Sequence, residues 1–173
     1  IEMFEMDEKG RTISDRFIDK IDVDAFNLKP NYDFREKDML NYSNDDETGY
    51  IRLTRFSKNS APEMRSAIKN IQTENASRIV IDLRDNPGGL LQSAIEILDM
   101  ITPKGSTLLS TKGRLPEANK HYISRKDPII DEDIKIAILI NEGSASASEI
   151  IAGAVQDLDR GIILGTRSFG KGL

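Results

Sequence analysis

The chain has 173 residues, a formal net charge of −5 and no cysteine. That length suits one compact α/β domain with a real core. The missing cysteines exclude disulfides, thiolate zinc sites and a cysteine nucleophile, and the lack of any basic tract or basic–aromatic interleaving argues against nucleic acid as a partner.

No apolar run approaches a membrane span and no signal-peptide pattern opens the chain. Ile1 is an unexpected natural start, so the chain reads as a piece from which any targeting segment has been removed. Residues 1–48 are the least readable part: Ile1 to Met6 and Phe17 to Val23 are short apolar stretches among charges. Asn41 to Thr48 reads as a polar, turn-rich connector. From Gly49 the pattern sharpens, and GYIRLTRF alternates as a strand of mixed exposure. Ser60 is expected to cap a helix with Pro62 in its first turn and Met64, Ile68 and Ile71 on its apolar face.

RIVIDL (Arg78 to Leu83) reads as a short buried strand running into RDNPGG, which must turn sharply at Pro87, Gly88 and Gly89. A helix with Leu91, Ala94, Ile95, Leu98 and Ile101 on one side follows, stopped by Pro103. STLLST reads as a strand, Lys112 to Asp127 as a charged loop, and Ile134 to Ile140 as the most apolar strand. The segment NEGSASASEI then opens a helix to about Asp157, and Arg160 to Gly165 is a last strand before TRSFGKGL. This rhythm predicts an α/β fold with a largely parallel sheet flanked by helices. Both glycine-bearing turns follow strand ends, where open α/β sheets place their sites.

Three serines sit in that second turn. Ser146 and Glu149 fit a capping box, which leaves Gly143, Ser144 and Ala145 unexplained. Small residues there keep the walls thin, and the free N–H groups of a helix start favour an anion, which is the setting an acyl-transfer nucleophile needs. A serine hydroxyl also needs a base. His121, the only histidine, lies in a polar loop without motif context. A lysine serves only when unprotonated, and Lys171, between two glycines after an aromatic residue, is the one outside a plainly polar stretch. In RDNPGG the glycines either relieve a strand-to-helix turn or aim an N–H into a site.

Taken together, GYIRLTRF, IVIDLRDNPGGLL, IAILINEGSASASEIIAGAVQDLDRGIILG and RSFGKG resemble, in order and spacing, the S41 peptidases, the carboxy-terminal processing or tail-specific proteases. The resemblance spans residues 49–173. It implies a crotonase/ClpP-like core truncated at its C-terminal end, with Ser146 as nucleophile and Lys171 as base. It also implies oxyanion donors at the backbone N–H of Ala147 and of the glycine pair, Gly88 ahead of Gly89, and leaves Ser144 and Ser148 to support the turn. No metal or organic cofactor is implied. The implied partners are proteins or peptides with exposed C-termini, with self-association into homo-oligomers left open, and the implied location is the periplasmic side of the bacterial envelope.

Members of the family often carry a glutamine four residues after the lysine, a position beyond Leu173, and a PDZ domain. Residues 1–48 show no carboxylate-binding loop of that domain, and Phe17 to Val23 reads as a remnant of its exit strand. Glycines around Lys171 near the chain end predict a mobile segment over 166–173, or a lysine turned away from Ser146. Two rivals are a non-hydrolytic crotonase-like binding domain, which would need neither Ser146 nor Lys171, and a thioester enzyme, for which no adenine-recognition feature is present.

Overall fold

The computed structural model describes residues 40–45, 47–113, 117 and 119–171. The expectations for the first 39 residues, the exit strand at 17–23 included, lie outside them. In chain order the elements are β1 (Leu40–Asp45), β2 (Thr48–Leu53), α1 (Ser60–Thr73), β3 (Arg78–Asp82), α2 (Leu91–Ile101), β4 (Thr107–Thr111), β5 (Lys120–Ile123), β6 (Lys135–Ile140), α3 (Ala147–Asp157) and β7 (Ile162–Gly165). The main sheet runs β1-β2-β3-β6-β7. Its β2, β3, β6 and β7 are parallel, and β1 is antiparallel at one edge.

Each parallel step crosses over through a helix and advances in one direction, so right-handed crossovers put all three helices on one face. Side-chain alternation agrees. Ile51, Leu53, Ile79, Ile81, Ile136 and Ile138 pack with Met64, Ile68 and Ile71 of α1, Ala94, Leu98 and Ile101 of α2, and Ile151 and Val155 of α3. Each fully buried aliphatic side chain there contributes about 1.5–3 kcal/mol relative to exposure. Tyr50, Val80, Ala137 and Ile162 form a second cluster on the opposite face. The predicted α/β class with a largely parallel sheet is what the chain adopts.

Three local readings change. The polar stretch at 41–48 is mostly strand, because an edge strand needs only its backbone to pair. The charged loop at 112–127 contains β5, antiparallel to β4 in a separate two-stranded sheet. Ser60 does not cap α1: Asn59 holds the cap position, and Ser60 is the first helical residue. Its buried hydroxyl accepts from Ser57 N at 2.8 Å and donates to Arg55 O at 3.1 Å. The segment 49–56 is of mixed exposure as read, with Ile51 and Leu53 buried, Arg52 and Thr54 half-buried and Arg55 exposed; Tyr50 is buried as well, its phenol paired with Asp82. Among the described residues no helix is long and apolar enough to cross a membrane.

Candidate active site

Strands β3 and β6 are neighbours, so the turns leaving their carboxyl ends meet. Asn86 joins them. It is fully buried; its Nδ2 donates to Leu53 O at 2.7 Å, and its carbonyl accepts from Ala145 N at 3.0 Å and Ser148 Oγ at 2.9 Å. Ser144 Oγ donates to Leu83 O at 2.7 Å. Asn141 and Asp85 make a reciprocal pair: Asp85 N donates to Asn141 Oδ1 at 2.8 Å and Asn141 Nδ2 to Asp85 Oδ1 at 2.9 Å. Two of the three serines, Ser144 and Ser148, are thus buried and committed to holding one turn on the other.

Ser146 is different. Half-buried at the start of α3, it has φ 56° and ψ −111°, a conformation that costs a non-glycine residue about 1–3 kcal/mol. Gly88, at φ +96°, lies directly against it. A Cβ at Gly88 would come within 2.7 Å of Ala145 O, 2.9 Å of Ser146 Cβ and 3.0 Å of Ala147 N. Gly89, at φ +146°, presses on Phe56, whose carbonyl oxygen would lie 2.1 Å from an added Cβ. Ser146, Ala147 and Gly88 therefore share one small space.

The donors in that space are unequal. Ala147 is the first residue of α3, so its N–H has no intrahelical acceptor. Gly88 N–H already donates to Asn86 Oδ1 at 2.9 Å. The bridge to Phe56 uses the bonds Phe56 N to Gly88 O and Leu90 N to Phe56 O, each 3.0 Å, which turns the Gly89 N–H away from Phe56.

The loop carrying Lys171 is docked rather than loose. Thr166 N donates to Ile140 O at 3.2 Å and Phe169 N to Ser144 O at 2.9 Å. Glu149, on the first turn of α3, accepts from Ser168 Oγ at 2.8 Å and Gly170 N at 2.6 Å through Oε1. Its Oε2 accepts from Ser146 N at 2.8 Å and Lys171 N at 2.9 Å. Of the segment expected to be mobile, or to carry its lysine turned away, the backbone N–H groups of Thr166, Phe169, Gly170 and Lys171 have acceptors on the end of β6, on Ser144 and on Glu149. Burial pushes the Glu149 carboxyl up, but these hydrogen bonds outweigh it and hold it below the ordinary range. The Lys171 side chain is exposed.

Beside this cluster, at the end of β3, Asp82 is buried and accepts from Tyr50 Oη at 2.5 Å, from Arg84 Nε at 2.9 Å and from Arg84 Nη2 at 2.7 Å. Burial again acts upward on its carboxyl, and the bonds from Arg84 and Tyr50 bring it below the ordinary value. Burial, then the bond to Asp82, push the Tyr50 phenol upward. His121 stands apart, exposed on β5, its Nδ1 2.9 Å from Ser110 Oγ. Among the described residues no group of three or more His, Asp or Glu could hold a metal.

The sequence reading missed Asn86 and the reach of Glu149 beyond its own helix turn. The asparagine ahead of Pro-Gly-Gly was the available signal for the first. For the second there was none, since a capping box accounts for a glutamate at that place.

Comparison with known proteins gives a consistent picture. Residues 47–173 match the description "Peptidase family S41". The chain is 43% identical over 137 residues to a carboxy-terminal-processing protease of Bartonella bacilliformis, covering 77% of this chain and 31% of that protein. It is 39% identical over 154 residues to a carboxyl-terminal-processing protease of Picosynechococcus sp., covering 89% and 35%. Among solved structures, the photosystem II D1 C-terminal processing protease superposes with a TM-score of 0.69 at 27% identity, over 78% of this chain and 38% of that one. The chain thus spans about a third of the length of the curated relatives it matches.

Proposed function

Because the chain belongs to peptidase family S41, we propose that it carries the catalytic centre of a serine endopeptidase that cleaves C-terminal or unfolded segments of other proteins, with Ser146 as nucleophile and Lys171 as base. The observation that carries this reading is the contrast among the serines. Ser144 and Ser148 spend their hydroxyls on backbone carbonyls, whereas Ser146 sits half-buried on a strained backbone against Gly88.

In the proposed reaction the unprotonated amine of Lys171 takes the Ser146 hydroxyl proton as Oγ bonds to the scissile carbonyl carbon. The oxyanion is held by the N–H of Ala147 and of the glycine pair. Sequence reading places Gly88 first in that pair; since its N–H is engaged by Asn86, Gly89 is the donor we assign. Collapse breaks the C–N bond, and Lys171 returns the proton to the leaving amine. Water, deprotonated by Lys171, then cleaves the acyl ester and restores Ser146. Loss of one oxyanion donor typically costs about 10²–10³ in rate. The substrates are proteins or peptides with exposed C-termini, and the working location is the bacterial envelope, facing the periplasm.

The test is hydrolysis of an unfolded protein by single variants. Ser146→Ala and Lys171→Ala lose turnover with unchanged circular dichroism. Ser144→Ala and Ser148→Ala keep turnover below their melting temperatures, which fall because each removes a buried hydrogen bond, at about 0.5–1.5 kcal/mol. An active Ser146→Ala variant overturns the assignment.

A further inference from the structure

A capping glutamate needs one acceptor bond, to the backbone N–H of its cap residue. Glu149 makes that bond to Ser146 and three more, to Ser168, Gly170 and Lys171, which stand 19, 21 and 22 residues further along the chain. Its two oxygens carry about four lone-pair sites, and all four are engaged. A single atom, Oε2, holds the backbone N–H of both Ser146 and Lys171, at 2.8 and 2.9 Å.

We infer that Glu149 is a positioning residue: its carboxylate registers the lysine-bearing loop against the nucleophile turn, so that the distance from base to nucleophile is set by one side chain. The inference rests on the assignment of Ser146 and Lys171 above. A carboxylate suits the task because it only accepts, and every group facing it here donates. A glutamine would keep one accepting oxygen and turn an NH₂ toward two donors. The bonds from Thr166 N to Ile140 O, at 3.2 Å, and from Phe169 N to Ser144 O, at 2.9 Å, do not involve Glu149, so the loop keeps these two anchors when the carboxylate is lost. Gly170, at φ +86° with open space around it, lets the chain curl so that consecutive N–H groups reach the two oxygens.

The test combines amide hydrogen exchange with kinetics on the whole protein. In the unsubstituted protein the Gly170 and Lys171 amides exchange slowly. In Glu149→Gln they exchange faster while the Phe169 amide stays protected. Turnover falls by about 10²-fold, the loss expected from misplacing a reacting group by about 1 Å, and KM stays within about twofold because substrate contacts are intact. A general loss of fold would instead expose the amides of β3 and β6 as well. Glu149→Ala loses at least as much as Glu149→Gln, and Ser168→Ala, which removes one donor and touches neither catalytic residue, loses far less. Fast exchange at Gly170 and Lys171 in the unsubstituted protein overturns the inference without any variant needing to fold. So does wild-type kcat in Glu149→Gln when Lys171→Ala is dead. An active Lys171→Ala instead overturns the base assignment, and the exchange experiment still decides whether Glu149 holds the loop.

Discussion

Replacing Gly88 with alanine probes the contact between the two turns. The added Cβ would meet Ala145 O at 2.7 Å, Ser146 Cβ at 2.9 Å and Ala147 N at 3.0 Å, and the residue would have to keep φ at +96°. Two of the three neighbours are backbone atoms in a turn pinned by Asn86, so none can yield by rotating a side chain. The unfavourable dihedral costs about 1–3 kcal/mol and the overpacking about as much again, a large part of the roughly 5–15 kcal/mol that stabilises a domain. At about 2–4 °C per kcal/mol for a chain of this size, thermal unfolding followed by circular dichroism should show a clear fall in Tm. The turn can relieve the clash only by moving Ser146 and Ala147, so turnover on an unfolded substrate should fall more steeply than stability. Gly153 is the internal control: it lies within α3 with nothing within 4 Å of an added Cβ, and Gly153→Ala should gain about 0.5–1 kcal/mol. If Gly88→Ala melts and turns over like the unsubstituted protein, the two turns are not packed as described.

Ser146→Gly and Ser146→Ala should both be inactive, with the glycine variant the more stable by about 1–2 kcal/mol, because only glycine escapes the strain at φ 56°; equal melting temperatures would show that the backbone there is unstrained. Lys171→Arg should be inactive although it keeps the charge, since a guanidinium does not give up its proton in this range; measurable turnover would remove Lys171 from the base role. Asp82 contributes stability that is fully present above its unfolded-state pKa and is lost as pH falls through its lowered folded-state value. The melting temperature of Asp82→Asn should therefore be lower at neutral pH and flatter across the acid range. Tyr50→Phe removes a buried bond to that carboxylate and should cost about 1.5–3 kcal/mol by denaturant titration.

Much of the fold was legible because helices and buried strands carry their periods in sequence. Met64, Ile68 and Ile71 follow the helical repeat, and IAILI (Ile136 to Ile140) is apolar throughout because β6 lies between other strands and under a helix. β1 and β5 were not legible: a sheet edge and a solvent-facing hairpin are held by backbone bonds, which leave no apolar signature. The site divides in the same way. Ser146, Ala147, Gly88 and Glu149 stand out through local turn chemistry. Which glycine N–H is engaged depends on the Asn86 side chain, and the docking of residues 166–171 depends on where a carboxylate finds its remaining donors. Spacing along the chain does not encode either.

Whether Ser146 is the nucleophile and Lys171 its base is decided by locating the adduct of a fluorophosphonate probe. Peptide mapping and mass spectrometry should find a single modification, on Ser146, at a rate that collapses in Lys171→Ala and survives in His121→Ala. An adduct on Ser144, Ser148 or Ser168, or labelling of Ser146 that is indifferent to Lys171, would contradict that assignment.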